Sequence, residues 1–138
     1  MSRYVLDAFA LLAFFQDEPG KPRVEELFQR AENGLDRLLV TVVNLGEMYY
    51  ELRARRGIGP ASRALLRLDQ MNLEVVEVDR SLTIHAARAK AEHGLGYLDC
   101  FAYALALMRG ATVVTGDDDF HRVEHLVAID WLPQPGRG

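Results

Sequence analysis

Short β-branched runs alternate with longer helical segments along this whole chain, and that alternation is its strongest constraint. Tyr4-Val5-Leu6 reads as a first strand and 8–15 as an apolar helix. Pro19-Gly20-Lys21-Pro22 marks a turn. Pro22 suits the opening of the next helix, where Val24, Leu27, Phe28 and Ala31 recur at helical spacing until Asn33-Gly34. Leu38 to Val42 is a predicted second strand and Asn44 to Arg56 a helix, broken by Gly57-Ile58-Gly59-Pro60 before another helix through Leu65, Leu66 and Leu68. Leu73 to Val78 is a third strand, and Asp79 caps a helix ending near His93. After Gly94 and Gly96 a strongly apolar helix runs from Tyr97 to Met108 and stops at Gly110. Ala111 to Thr115 is a fourth strand and Leu126 to Ile129 a fifth. A single domain is expected over 1–132, with 133–138 a frayed tail. Such alternation implies a mostly parallel sheet of four or five strands covered by helices on both faces. Right-handed crossovers then bring every strand's C-terminal end to one edge, where open α/β sheets bind ligands; in the expected strand order 3-2-1-4-5, strands one and four are neighbours there.

Composition narrows the function. The 138 residues are 49% hydrophobic and 26% charged, enough for a self-sufficient core. The lone Cys100 cannot form an internal disulfide, which points to a reducing cytoplasm, and no apolar run reaches the ~18 residues of a membrane span. A net charge of −4 is unlike a generic nucleic-acid binder. It hides a local asymmetry: Arg53, Arg55, Arg56, Arg63 and Arg67 fall in a stretch without one acid. Arginine forks match phosphate oxygens, so Arg53, Arg55 and Arg56 are candidate phosphate contacts; a solvated helix face is the plainer alternative.

The acids carry the chemistry. Asp7 closes the first predicted strand, Asp117 follows the fourth, Glu47 lies just inside the helix after strand two, and Asp99 lies in the first turn of the helix before strand four. Each has an ordinary explanation as a cap or a charge near a helix N-terminus. Asp99 resists it, because Ala102, Tyr103 and Ala106 share its helix face and an inward carboxylate there is costly without a partner. Four carboxylates on one rim repel one another, and a divalent cation relieves that repulsion. All-oxygen ligands suit Mg2+ or Mn2+.

Val5-Leu6-Asp7-Ala8, Leu45-Gly46-Glu47, Leu98-Asp99-Cys100 and Thr115-Gly116-Asp117-Asp118-Asp119-Phe120, in that order, resemble the motifs of PIN-domain nucleases. The closing Ile129-Asp130-Trp131-Leu132 and the chain length resemble the VapC-type toxins of prokaryotic toxin–antitoxin pairs. The resemblance spans essentially the whole chain. It implies a three-layer α/β/α sandwich and a Mg2+-dependent endoribonuclease that cleaves structured or single-stranded RNA by metal-activated water. Asp7, Glu47, Asp99 and Asp117 would be its acidic quartet, with Asp7 and Asp99 the principal metal ligands. Asp119 would be a further acid and Thr115 a supporting hydroxyl. It also implies a homodimer and a VapB-like antitoxin, for which Leu11, Leu12, Phe14, Phe15, Met48, Tyr49, Tyr50 and Leu52 offer apolar surface. One position departs from the pattern: Phe9 stands where such nucleases commonly carry a small polar residue, so a hydrogen bond orienting Asp7 or a substrate phosphate is expected to be missing or supplied from elsewhere. The alternatives are a PIN-type RNA-processing nuclease that is not a toxin, or a binding module acting without catalysis.

Other chemistries fit less well. His121-Arg122-Val123-Glu124-His125 matches the H-x-x-E-H of inverted zinc peptidases, but the segment between strands four and five is short for their active-site helix. Asp130 is the only acid after His125, which leaves no downstream glutamate ligand. A receiver-like phosphoacceptor would need a lysine after its last strands, and the only lysines are Lys21 and Lys90. Cys100 has no histidine placed to activate it and reads as a small hydrophobe.

Overall fold

A computed structural model describes residues 1–136 of the chain. Its centre is a five-stranded, all-parallel sheet ordered β3-β2-β1-β4-β5, formed by Glu74–Val76, Asp36–Thr41, Ser2–Leu6, Thr112–Thr115 and Ile129–Trp131 in that spatial order. Six helices surround it: α1 (Ala8–Phe15), α2 (Lys21–Glu32), α3 (Val42–Arg56), α4 (Ile58–Asp69), α5 (Arg80–His93) and α6 (Tyr97–Arg109). The strand order is the one the sequence suggests.

Successive strand residues point to opposite faces of a sheet, and this period-two rule splits the core in two. Leu6, Leu38, Val40 and Val114 pack under α1, α2, α3 and α4, together with Leu11, Phe14, Leu27, Met48 and Leu52. Val5, Leu39 and Val113 face the other way, into α5 and α6 and the side chains of Leu82, Phe101, Leu105 and Phe120. The strands are buried on both faces, which is why they read as unbroken apolar runs. The apolar residues expected to offer docking surface are largely core: Leu11, Leu12, Phe14, Met48 and Leu52 are buried, Phe15 and Tyr49 are half-buried, and Tyr50 alone is exposed.

Local signals explain the element ends. Thr41, Asp79 and Asp7 each turn a side-chain oxygen to a backbone N–H in the first turn of the helix that follows. Gly57, at φ 94°, turns the chain between α3 and α4. Helix α4 starts directly at Ile58, so Gly59 and Pro60 belong to its first turn, where proline's missing N–H costs nothing.

The fifth strand is displaced from its predicted place. Residues 118–123 form a short 3-10 helix, and Leu126 and Val127 both donate backbone N–H groups to the Val123 carbonyl, so pairing with β4 begins only at Ile129. Val127 is apolar because it plugs the core from a turn. Residues 133–136 carry no helix or strand; the last two residues of the expected tail lie outside the described residues.

Phe120 is the largest of the fully buried side chains and anchors the 3-10 helix beneath β4. Phe120→Ala should therefore cost ~3–5 kcal/mol of unfolding free energy in urea titration. It should also loosen the segment carrying Asp117 and Asp119.

Candidate active site

The C-terminal edge of the sheet gathers the acids. Asp7 leaves β1 and opens α1, Asp117 follows β4 and opens the 3-10 helix, Glu47 sits in α3, and Asp99 lies in the first turn of α6. All four line one cleft of about 390 Å³, with Glu18 and Glu51 on the same walls and Arg55 at its edge. Carboxylate oxygens of Asp99, Asp117 and Asp119 lie within 4.8 Å of one another.

Thr115 organises this edge. Its buried hydroxyl donates to Asp7 Oδ2 at 2.5 Å and accepts from the Asp117 backbone N–H at 3.0 Å, so one side chain fixes acids that follow two neighbouring strands. The Ala10 N–H donates to Asp7 Oδ1 at 2.9 Å, and the Asp119 N–H to Asp117 Oδ1 at 2.9 Å. Asp119 Oδ2 accepts from the Gly96 N–H at 3.1 Å, tying the acidic loop to the start of α6. The hydrogen bond that Phe9 cannot give Asp7 thus comes from Thr115. Phe9 instead lies against Gly116: a Cβ there would overlap the phenyl ring and approach the Leu132 carbonyl within 2.9 Å. The Gln134 side chain donates to the Gly116 carbonyl, and with Pro135 it borders the cleft.

Two contributors escaped the sequence reading. Asn44 is fully buried; its amide donates to the Leu98 carbonyl at 3.0 Å, joining α3 to the residue before Asp99. Its pairing with Thr41, at the N-cap and N3 positions, was the available signal. Glu51 lies one helical turn beyond Glu47, a spacing that puts both on one face.

Burial raises the cost of charging these groups. The Asp7 carboxyl is pushed up to about 7, chiefly by loss of water, against the opposing hydrogen bonds from Thr115 and Ala10. Asp99 is pushed up to about 9, first by burial and then by the charges of Asp117 and Asp7. Glu47 is also raised, by burial and by Glu51. The nearby cations are engaged at the edges: Arg55 lies 3.9 Å from Glu51, and Arg122 3.8 Å from Asp119. Hard oxygen donors in excess of nearby positive charge fit a divalent cation such as Mg2+ or Mn2+.

A PIN-domain family model matches residues 4–126. The chain belongs to the PIN-domain family. It is 33% identical over 128 residues to the VapC ribonuclease Mb0640 of Mycobacterium bovis, covering 87% of this chain and 94% of that one. Ribonuclease VapC30 of Mycobacterium tuberculosis matches to the same extent. Among solved structures, the PIN domain superposes on Mycobacterium tuberculosis VapC20, a Sarcin-Ricin loop cleaving toxin, with a TM-score of 0.72 at 18% identity, covering 86% of this chain and 92% of that one. It superposes on Rickettsia felis VapBC2, bound to a DNA fragment from its promoter, with a TM-score of 0.73 at 17% identity, covering 95% and 99%.

The remaining sequence candidates separate. Of the three arginines, Arg55 borders the acidic cleft, Arg56 lines a neighbouring groove, and Arg53 donates to the Tyr49 hydroxyl at 3.4 Å. His121 Nδ1 lies 2.9 Å from Glu124 Oε2, and its ring stacks on Trp131 at 4.2 Å. Among the described residues no histidine joins a metal-competent cluster; the H-x-x-E-H segment runs from the end of the 3-10 helix into a turn, with both histidines exposed and Val123 buried. Cys100 is fully buried and its thiol is pushed up to about 11 by burial and by Asp99, as a packed hydrophobe would be. Among the described residues no helix is long and apolar enough to cross a membrane.

Asp7 and Asp99 titrate higher in the folded chain than in an unfolded one. Their stabilising contribution is complete below the ordinary aspartate value of 3.8 and is lost as pH rises through about 7 for Asp7 and about 9 for Asp99. The metal-free protein should therefore melt at falling temperatures from about pH 5 to about pH 9 in calorimetry. Asp99→Asn should flatten that slope and raise Tm near pH 8 by about 5 °C. A rise in Tm with pH across this window would contradict the protonated site.

Proposed function

We propose that this PIN domain is the toxin of a type II toxin–antitoxin pair, a divalent-metal-dependent endoribonuclease acting in the cytoplasm on single-stranded or looped RNA. The observation that carries the reading is the cleft itself. Carboxylates from four separate stretches converge at one sheet edge, and burial keeps Asp7 and Asp99 from ionising easily without a cation. The VapC ribonucleases among its relatives and the VapBC assembly among its structural neighbours support the toxin and antitoxin parts.

Asp7 and Asp99, with Asp117 and Glu47, are the residues that would hold Mg2+ or Mn2+, and Asp119, whose carboxylate lies close to those of Asp99 and Asp117, is a further candidate. Such an ion would neutralise phosphoryl charge and lower the pKa of water, so that a hydroxide nucleophile is available near neutral pH. The chain's own groups do the rest. Thr115 orients Asp7, and its hydrogen bond to the Asp117 N–H keeps the two acids in register. Glu47, half-buried and raised above the ordinary carboxylate value by burial and by Glu51, is the candidate general base. Arg55, beside the acids, meets the RNA backbone where it enters, and Arg53 flanks it on the same helix. A VapB-like antitoxin silences the cleft by carrying a basic side chain to these carboxylates. A homodimer belongs to the same reading.

Purified protein should cut RNA with Mg2+ or Mn2+ and lose that activity in EDTA. Asp99→Asn should lower the rate ~100-fold or more, because several kcal/mol of charge stabilisation depend on the site. The double change His121→Ala and His125→Ala should leave activity within a few-fold of the parent. Gel-resolved cleavage kinetics checks all three, and full activity after metal removal overturns the mechanism.

A further inference from the structure

Beside the acidic cleft, and sharing α1 and α3 with it, lies a second groove of about 720 Å³ lined by Arg56, Arg63, Arg67 and Gln16 over a floor that includes Phe15 and Leu52. Its polar lining consists mainly of donors. Among the described residues, no acid lies within 4.0 Å of the three guanidinium groups. The Gln16 amide nitrogen is the one buried side-chain polar atom there without a hydrogen-bond partner. The single acid on the rim, Asp17, is exposed and pairs with Lys21.

The guanidinium groups are also placed. Arg67 lies 4.8 Å from the centroid of the Phe14 ring, which steers its stem toward the groove. Arg63 lies over Gly59, where an added Cβ would stand 3.2 Å from Nη1, so the missing side chain leaves room for the fork. Arg63 and Arg67 are four residues apart on α4 and share a face. Such a set of donors calls for a ligand that brings acceptors with negative charge, and guanidinium forks match phosphate oxygens.

We propose that Arg56, Arg63 and Arg67, with Gln16, form a phosphate-binding track that holds the RNA backbone to one side of the cleavage site. The inference rests on the reading of the chain as an RNA-cleaving enzyme and adds a positioning site to it. Two observations favour RNA over an acidic protein partner. First, the groove continues the acidic cleft: from Glu47 to Arg56 along α3 is nine residues, ~14 Å of helix, and α1 runs the same count from Asp7 to Gln16. Second, a polyanion approaching the acidic cleft of a chain with net charge −4 is repelled, and the stretch from Arg53 to Arg67 supplies five cations and no acid beside that approach. The groove offsets on the flank the repulsion that the acids create at the centre.

The test is fluorescence anisotropy of the full chain with a labelled single-stranded RNA of mixed sequence, about twelve nucleotides long, in EDTA so that the RNA stays intact. Arg63→Gln with Arg67→Gln should weaken binding about tenfold and make the slope of log affinity against log salt shallower by about 1.4, from ~0.7 per lost phosphate contact. Arg56→Gln with Arg63→Gln spares the Arg67–Phe14 contact and should act alike, with an unchanged melting temperature. Gln16→Glu should weaken binding with no arginine removed, while the new acid among three cations holds or raises Tm. Arg37→Gln, a salt-bridged arginine on β2, should change nothing. In Mg2+, the same groove variants should raise KM far more than they lower kcat.

Parent-like affinity and salt slope in all three groove variants would overturn the track. If those variants also escape neutralisation by the cognate antitoxin in growth assays, the groove belongs to a protein partner. Failure of the parent protein to bind or cut RNA would overturn the nuclease reading and the track together, an outcome visible before any variant is made.

Discussion

Carboxylates that repel one another must be held together by something stronger than their repulsion, and here that is the parallel sheet with its two cores. Every strand runs the same way, so every strand ends at the same edge, and the loops there have no choice but to share it. Asp7 and Asp117 follow adjacent strands, β1 and β4, whose Leu6 and Val114 pair in register. Below them, Val5, Leu6, Val113 and Val114 are completely buried, so the strand ends cannot drift apart to relieve the charge. Burial and mutual repulsion instead raise the Asp7 and Asp99 carboxyls, which favours their protonated forms.

Within that frame the finer placement depends on few atoms. Thr115 contributes one hydroxyl, yet it donates to one acid and accepts from the backbone of another. Valine is close in shape but has no hydrogen-bonding oxygen, so it could not fill this position. Gly116 allows the chain to pass between the Phe9 ring and the Leu132 carbonyl on its way to Asp117. An aromatic residue near the first aspartate is therefore compatible with the acidic edge when a glycine answers it across the sheet.

Much of this was legible in the sequence. The period of the apolar runs gives the alternation, and the strand order expected for it, 3-2-1-4-5, is the one observed. The four acids stand out because each lies close to an element end among apolar neighbours: Asp7 and Asp117 just after strands, Asp99 in the first turn of α6 and Glu47 early in α3. What escaped belongs to tertiary structure. Val127 reads as strand because it is β-branched and buried, but a turn buries it just as well. The hydrophobes of α1 and α3 read as surplus surface, because a sequence does not reveal how much volume four helices on one face can fill. Gln16 is an ordinary polar residue at the end of α1 until α3 and α4 bring arginines around it.

The position of β4 has a consequence for how the chain is made. It is the fourth strand in sequence but lies between β1 and β5 in space, and it carries Thr115 at its end with Asp117 and Asp119 just beyond. Until that stretch has left the ribosome, Asp7 has no hydroxyl to orient it, and the trio around Asp99 lacks two of its three members. A nascent chain that has already folded β1 to α6 therefore holds Asp99 without the two acids that cluster with it. The acidic trio is complete only once β4 and the loop beyond it have joined the part of the fold formed by β1 to α6.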